Sequence, residues 1–219
     1  MAKEDGIDLE AIIRVEKVPE KEARDKVRYL RGYEKRESSM TIKDANHQYH
    51  LHEQAIEAHT ILTCKELGLS RDLQFMAGYL ARWHDVGKLH YDIPSYIWEK
   101  TGKLDEKEWV YVKQHPKYSM DMLGILKTLG QGALCHHERF DGTGYPYGLK
   151  GEQIPKISLV VSVADCFSAM IHNRGYNVIK TNEEAARELL DCKGTQFDPE
   201  SVDCFMKVLK FFGKIPETF

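Results

Sequence analysis

The run ISLVVSVADCFSAMIHN, Ile157 to Asn173, decides the fold class. Val160, Val161 and Val163 are β-branched and would suit a strand at the centre of a sheet. Read as a helix, the same run is apolar enough to be the buried centre of an all-α domain. Helical patterns flank it on both sides, so a buried central helix is expected, with the strand reading left open.

Upstream, residues from Thr41 to Leu67 contain no Gly or Pro and then meet Gly68, a helix stop. Ser70 is placed to cap the next helix, which leads to His84. Gly87 suits the end of that helix or a turn. Asp92-Ile93-Pro94 breaks the chain before a further short helix. Another helix is expected from Asp105 into His115, and Pro116 opens the next at a favourable first-turn position. Arg139 to Pro155, RFDGTGYPYGLKGEQIP, reads as the one long loop, with four glycines and two prolines. Two closing helices are expected near Asn182–Asp191 and Pro199–Phe212. The charged stretch Pro19 to Ser38 reads as a solvated helix, a connector or a partner-facing arm. The expectation is an all-α helical bundle over residues 41–219, with a short N-terminal helical extension over residues 1–40.

The bulk properties exclude several classes. The chain has 219 residues, a net charge of -3, 42% hydrophobic and 30% charged residues. That is enough apolar material for one large domain, and the charge argues against a general nucleic-acid binder, DNA included. Five cysteines, Cys64, Cys135, Cys166, Cys192 and Cys204, show no C-x-x-C spacing, which favours free, buried thiols in a reducing compartment. No apolar run approaches the roughly 20 residues of a membrane span, and MAKEDGIDLE has no signal-peptide pattern. We read the chain as soluble and cytoplasmic.

The ten histidines carry the functional signal. His47, His50, His52 and His59 belong to the first helix. His90, His115 and His172 stand singly, whereas His84-Asp85 and His136-His137 are doublets. A His-Asp pair behind the apolar FMAGYL segment (Phe75–Leu80) costs burial energy unless hydrogen bonds or a metal compensate. Adjacent helical residues diverge by about 100°. On that basis each doublet is expected to offer one ligand to each of two neighbouring ions, or a carboxylate to bridge them. Imidazole with carboxylate suits iron, manganese, zinc or nickel rather than calcium. A two-metal site supports in-line displacement at phosphorus.

HDVGK (His84–Lys88), HHERFDGTGYP (His136–Pro146), Ile154-Pro155 and VAD (Val163–Asp165) together closely resemble the HD-GYP branch of the HD phosphohydrolase superfamily. The resemblance covers about Gln48 to Phe212. It implies an HD-domain helical bundle and a metal-dependent phosphodiesterase that hydrolyses cyclic di-GMP to pGpG, with onward hydrolysis to GMP left open, through a metal-bridging hydroxide. It further implies seven metal ligands: His52, His84, Asp85 as the bridging group, His115, His136, His137 and Asp165. Lys88 would bind a phosphate oxygen or help the leaving group. Arg174 and Tyr176, in NRGY, resemble a substrate-contacting Arg-Pro-Tyr element with Gly175 in place of proline. The GYP loop is associated in the family with partner recognition, a diguanylate cyclase being one candidate. The chain departs from the family pattern at Ser168, where an aspartate is usual, and at Trp83, where a small aliphatic residue is usual.

Five imidazoles and two carboxylates serving two ions favour five- or six-coordination, hence iron or manganese over tetrahedral zinc. Some family members hold a third metal with a glutamate where this chain has Gln48, one turn before His52. A neutral amide is a weaker ligand, so two ions are expected, with the first cleavage outpacing the second. Two other readings are a non-catalytic signalling module and a phosphodiesterase for another cyclic dinucleotide such as cyclic GMP-AMP.

Overall fold

The computed structural model describes residues 46–100, 102–124, 127–172 and 178–219, apart from the side chains of residues 46–54 and Glu99. The extension proposed over residues 1–40, with its Pro19–Ser38 segment, lies outside the described residues. So do Arg174 and Tyr176 and the side chains of His47, Gln48, His50 and His52.

Nine α-helices occur among the described residues: α1 (Asn46–Glu66), α2 (Arg71–Trp83), α3 (Tyr96–Glu99), α4 (Glu106–Val112), α5 (His115–Leu123), α6 (Lys127–Leu134), α7 (Lys156–Ile171), α8 (Asn182–Asp191) and α9 (Pro199–Phe211). The only β pairing among these residues is an isolated bridge between Lys193 and Phe197. No described helix is long and apolar enough to cross a membrane.

The central run is α7. Ile157, Leu159, Val160, Val161, Val163, Ala164 and Phe167 are all buried on it, packed by helices on several sides. A helix apolar almost all round belongs in a core, and this burial overrides the β preference of its valines. Around it α1, α2, α8 and α9 contribute Ile56, Leu80, Leu189, Phe205 and Leu209, all fully buried. Each such side chain contributes about 1.5–3 kcal/mol of burial free energy.

Local signals set most boundaries. After α1, Gly68 (φ 69°) and Leu69 donate their N–H groups to Lys65 and Cys64, the paired bonds that close a helix on a left-handed residue. Ser70 Oγ accepts from Leu73 N at 3.3 Å and opens α2. Asp105 and Glu108 form a reciprocal capping box at α4. That helix ends at Val112, three residues short of the sequence expectation. His115 instead begins α5, with Pro116 in its first turn. Thr181–Glu184 caps α8 in the same manner, and Asp198 caps α9 while bonding Lys156 at 2.8 Å.

Two smaller apolar clusters support the functional face. Leu134, Cys135, Leu149, Ile154 and Leu159 sit under the long loop, and Ile93, Ile97 and Val112 sit beside the turn that follows α2.

Candidate metal centre

Three helices end at the same place, and a histidine follows each of them. His84 follows α2, His115 follows α4, and His136 follows α6. Each ring donates its Nδ1–H to the carbonyl three residues earlier: Ala81 at 2.8 Å, Val112 at 2.6 Å and Ala133 at 2.5 Å. Those carbonyls belong to the last turns, where helices leave acceptors without partners. A carbonyl has no proton to give, so Nδ1 carries the hydrogen in all three rings. In a neutral ring Nε2 is then the free ligand atom, and the three Nε2 atoms point at one carboxylate.

That carboxylate is Asp85. Its Oδ1 lies 3.1 Å from His115 Nε2 and 3.5 Å from His136 Nε2, and its Oδ2 lies 3.4 Å from His84 Nε2. His115 Nε2 and His136 Nε2 approach within 3.3 Å of each other. Two lone pairs that close repel unless a cation or a proton stands between them. Asp85 Oδ1 and His84 Nε2 are buried without a hydrogen-bond partner. Such atoms carry a desolvation cost that a bound ion would relieve.

The electrostatics agree. Burial opposes charge on His84, yet the Asp85 and Asp165 carboxylates outweigh it and push the ring up to about 9. Burial likewise opposes the Asp85 anion, but Lys88 and His84 hold it well below the usual carboxylate range. His136 is pushed down to about 4, chiefly by burial, and burial with its histidine neighbours holds His137 well below the usual imidazole range. Asp85 therefore stays an anion and His136 and His137 stay neutral, and the proton that His84 holds against the carboxylates marks a place a cation would take. The donor set of nitrogen and carboxylate oxygen fits a transition-metal ion.

Asp85, His115, His136 and His137 each bring a ligand atom to within 4.8 Å of the others. This corrects the reading of the doublets as helical neighbours splayed apart. The helix α6 stops at Leu134, so His136 and His137 lie in a turn and both rings reach one cluster, their centroids 4.1 Å apart. Asp165 stands at the edge, its Oδ1 3.8 Å from His84 Nε2. The backbone of His52 lies on α1; its side chain is outside the described residues.

Lys88 pairs with Asp85 Oδ2 across a single turn, Val86–Leu89. Gly87 lies in that turn, the second of the two places expected for it. A Cβ there would sit 2.2 Å from the His115 carbonyl oxygen and 2.4 Å from Ser119 N. Only glycine lets the turn press this closely on α5, and Gly87 N bonds Ser119 Oγ at 2.8 Å.

Residues outside the sequence-derived set complete the site. Glu138, buried next to His137, accepts Tyr147 N at 2.7 Å and Leu149 N at 3.0 Å, tying the GYP loop to the histidine turn. Tyr145 stacks on the His137 ring at 4.8 Å and bonds the His137 carbonyl through its backbone N. Glu138 was visible as the third letter of HHE, but nothing in the string told its anchoring role. Ser168 is buried, its hydroxyl 3.2 Å from His172 Nδ1. Trp83 packs partly buried against the main core, near Tyr79. Cys135 is buried among apolar residues, and burial pushes its thiol up, away from the thiolate a metal needs.

Comparison with known proteins places these features. The HD domain family matches residues 23–201. A cyclic di-GMP phosphodiesterase of Thermotoga maritima is 40% identical over 67% of this chain, and a 3'3'-cGAMP-specific phosphodiesterase 3 of Vibrio cholerae is 33% identical over 81%. The chain spans 40% and 38% of their lengths. Among solved structures, Bd1817, an HDG"Y"P protein from Bdellovibrio bacteriovorus, superposes with a TM-score of 0.57 at 20% identity, over 73% of this chain and 51% of that one. The cyclic GMP-AMP-specific phosphodiesterase V-cGAP3 of V. cholerae gives 0.55 at 18%, over 76% and 46%. These two likenesses bear on the fold alone. With its all-α architecture, its convergent histidines around Asp85 and its HHE-to-GYP string, the chain belongs to the HD domain family, in the HD-GYP branch.

Proposed function

We propose that this chain is a metal-dependent phosphodiesterase of cyclic dinucleotides, with cyclic di-GMP as the first substrate and pGpG as the first product. The observation that carries this reading is the Asp85 carboxylate set against three imidazole Nε2 atoms, with Asp85 Oδ1 lacking a hydrogen-bond partner. His52, His84, Asp85, His115, His136, His137 and Asp165 would hold two divalent ions, iron or manganese. When bound, such ions lower the pKa of water and neutralise charge on phosphate oxygens.

The protein groups do the rest. His84, His115 and His136, pinned through Nδ1, present fixed ligands and lose no orientation freedom on loading. Lys88, beside Asp85, receives a phosphate oxygen, and Arg174 and Tyr176 hold the nucleotide. The setting is cytoplasmic, the 1–40 segment is an extension of the 41–219 domain, and the GYP loop offers a surface to a signalling protein such as a diguanylate cyclase.

A second substrate reading, cyclic GMP-AMP, is favoured by the 33% identity to the V. cholerae enzyme over 81% of this chain. The test is a product time course for protein loaded with reduced iron or manganese against cyclic di-GMP, cyclic GMP-AMP and cyclic di-AMP. We expect linear pGpG from cyclic di-GMP, slower GMP release, and no turnover by Asp85→Ala. Turnover of cyclic GMP-AMP alone would move the substrate to the second reading. No turnover of any of the three would leave the signalling-module reading standing.

A further inference from the structure

The environment of Lys88 contains a residue that no motif marks. Trp98, on α3, donates its indole N–H to the Lys88 carbonyl at 3.0 Å. The face of the same ring lies under the Lys88 ammonium, with Nζ 5.4 Å from the centroid. Its edge meets the His115 ring at 6.3 Å and 86°. The indole packs against the small cluster of Ile93, Ile97 and Val112, so the ring itself is well seated.

A lysine side chain carries about 2 kcal/mol of rotamer entropy when free. Here Lys88 is confined on three sides. Asp85 takes the ammonium from one direction, the indole face supports it from another, and the indole N–H fixes the backbone it hangs from. On the N-terminal side Gly87 is wedged against α5. An ammonium over an aromatic face is attracted by the ring's quadrupole and keeps its other N–H groups for a ligand.

We propose that Trp98 is the positioning residue for Lys88, holding its ammonium ready for a phosphate oxygen of the cyclic dinucleotide. This rests on the reading of Lys88 as a phosphate-binding group. The ordering of the lysine is thereby completed on folding instead of on substrate binding, which lowers the substrate concentration needed.

The experiment combines kinetics with a measurement that needs no substrate. In Trp98→Leu we expect KM for cyclic di-GMP to rise about tenfold, the loss of one charge–ring contact, with metal content unchanged. Trp98→Phe keeps a face and recovers most of that loss. In a Lys88→Ala background, Trp98→Leu has no further effect, because the group it positions is gone. A purely structural Trp98 would instead cost the same factor in both backgrounds, and that result overturns the proposal. In parallel, the Lys88 ε-methylene protons are followed by NMR. Ring current from the indole shifts them upfield in the parent protein, and Trp98→Leu removes the shift. If no cyclic dinucleotide is turned over, the functional reading falls and the NMR result alone decides: an unshifted Lys88 in the parent protein overturns the positioning role.

Discussion

His59 and His115 are both buried imidazoles, 7% and 0% exposed, in two different surroundings. His59 is ringed by Phe167, Phe205 and Phe212, with centroids 6.1, 5.6 and 5.8 Å away, and its Nδ1 has no hydrogen-bond partner. Burial, then the nearby Lys214 and His172, push it down to about 4. His115 has its Nδ1 committed to a helix-end carbonyl and its Nε2 aimed at a carboxylate. The first region stays closed to charge and the second asks for it. Burial alone does not make a histidine a ligand; the pinned Nδ1 and the facing acid do.

The largest expected effect in the second region comes from a residue without a side chain. Gly87→Ala forces a methyl group into the His115 carbonyl and the Ser119 amide, both backbone and unable to step aside. We expect a loss of about 3 kcal/mol or more, with metal uptake lost as Asp85 and His115 separate. Urea unfolding with metal analysis checks it; a variant of parent stability and full metal content would break the account of that turn.

The first region answers to pH. The folded-state value of His59, about 4, lies below the unfolded value near 6.5. The neutral ring therefore contributes its full stability above pH 6.5, and that contribution is lost as pH falls toward 4, because the unfolded chain takes up the proton first. His59→Phe, which suits the aromatic surroundings, removes this loss. The stability difference between variant and parent should grow by about 2–3 kcal/mol between pH 7 and pH 4.5. A difference independent of pH would show that His59 is not held neutral.

The smallest effect sharpens the role of the loop. Glu138→Gln keeps the shape but turns an NH2 toward one of the two loop amides it now accepts from. We expect about 1–2 kcal/mol of destabilisation and about tenfold weaker metal binding as the His137 turn loosens. Isothermal titration of the variant with manganese reads this, and parent-like affinity would detach the GYP loop from the metal-facing histidines.

Much of this was legible from residue order. Ser70, Asp105 and Pro116 announce helix starts because capping is local chemistry, and HHE-to-GYP is long enough to identify its family. The reach of His136 and His137 into one cluster was not legible. Nothing between Leu134 and His136 signals that the helix has stopped, so a helical spacing was applied where a turn exists. The end of α4 at Val112 was hidden for the same reason, since no Gly or Pro marks it. Trp98 and Lys88 stand ten positions apart and meet only through the packing of α3, which no periodicity reports. The helix-or-strand ambiguity of Ile157–Asn173 was resolved by the helices packed around it, a tertiary fact.

A cation site among the Asp85-facing imidazoles underlies every functional reading above, whatever the substrate. Its most direct test is metal content of chelator-stripped protein re-equilibrated with manganese, with the melting temperature recorded, for the parent and Asp85→Asn. Two ions per chain and a raised melting temperature are expected in the parent, with both effects lost in the variant. A parent that takes up no ion, or a variant that binds as many as the parent, would contradict it.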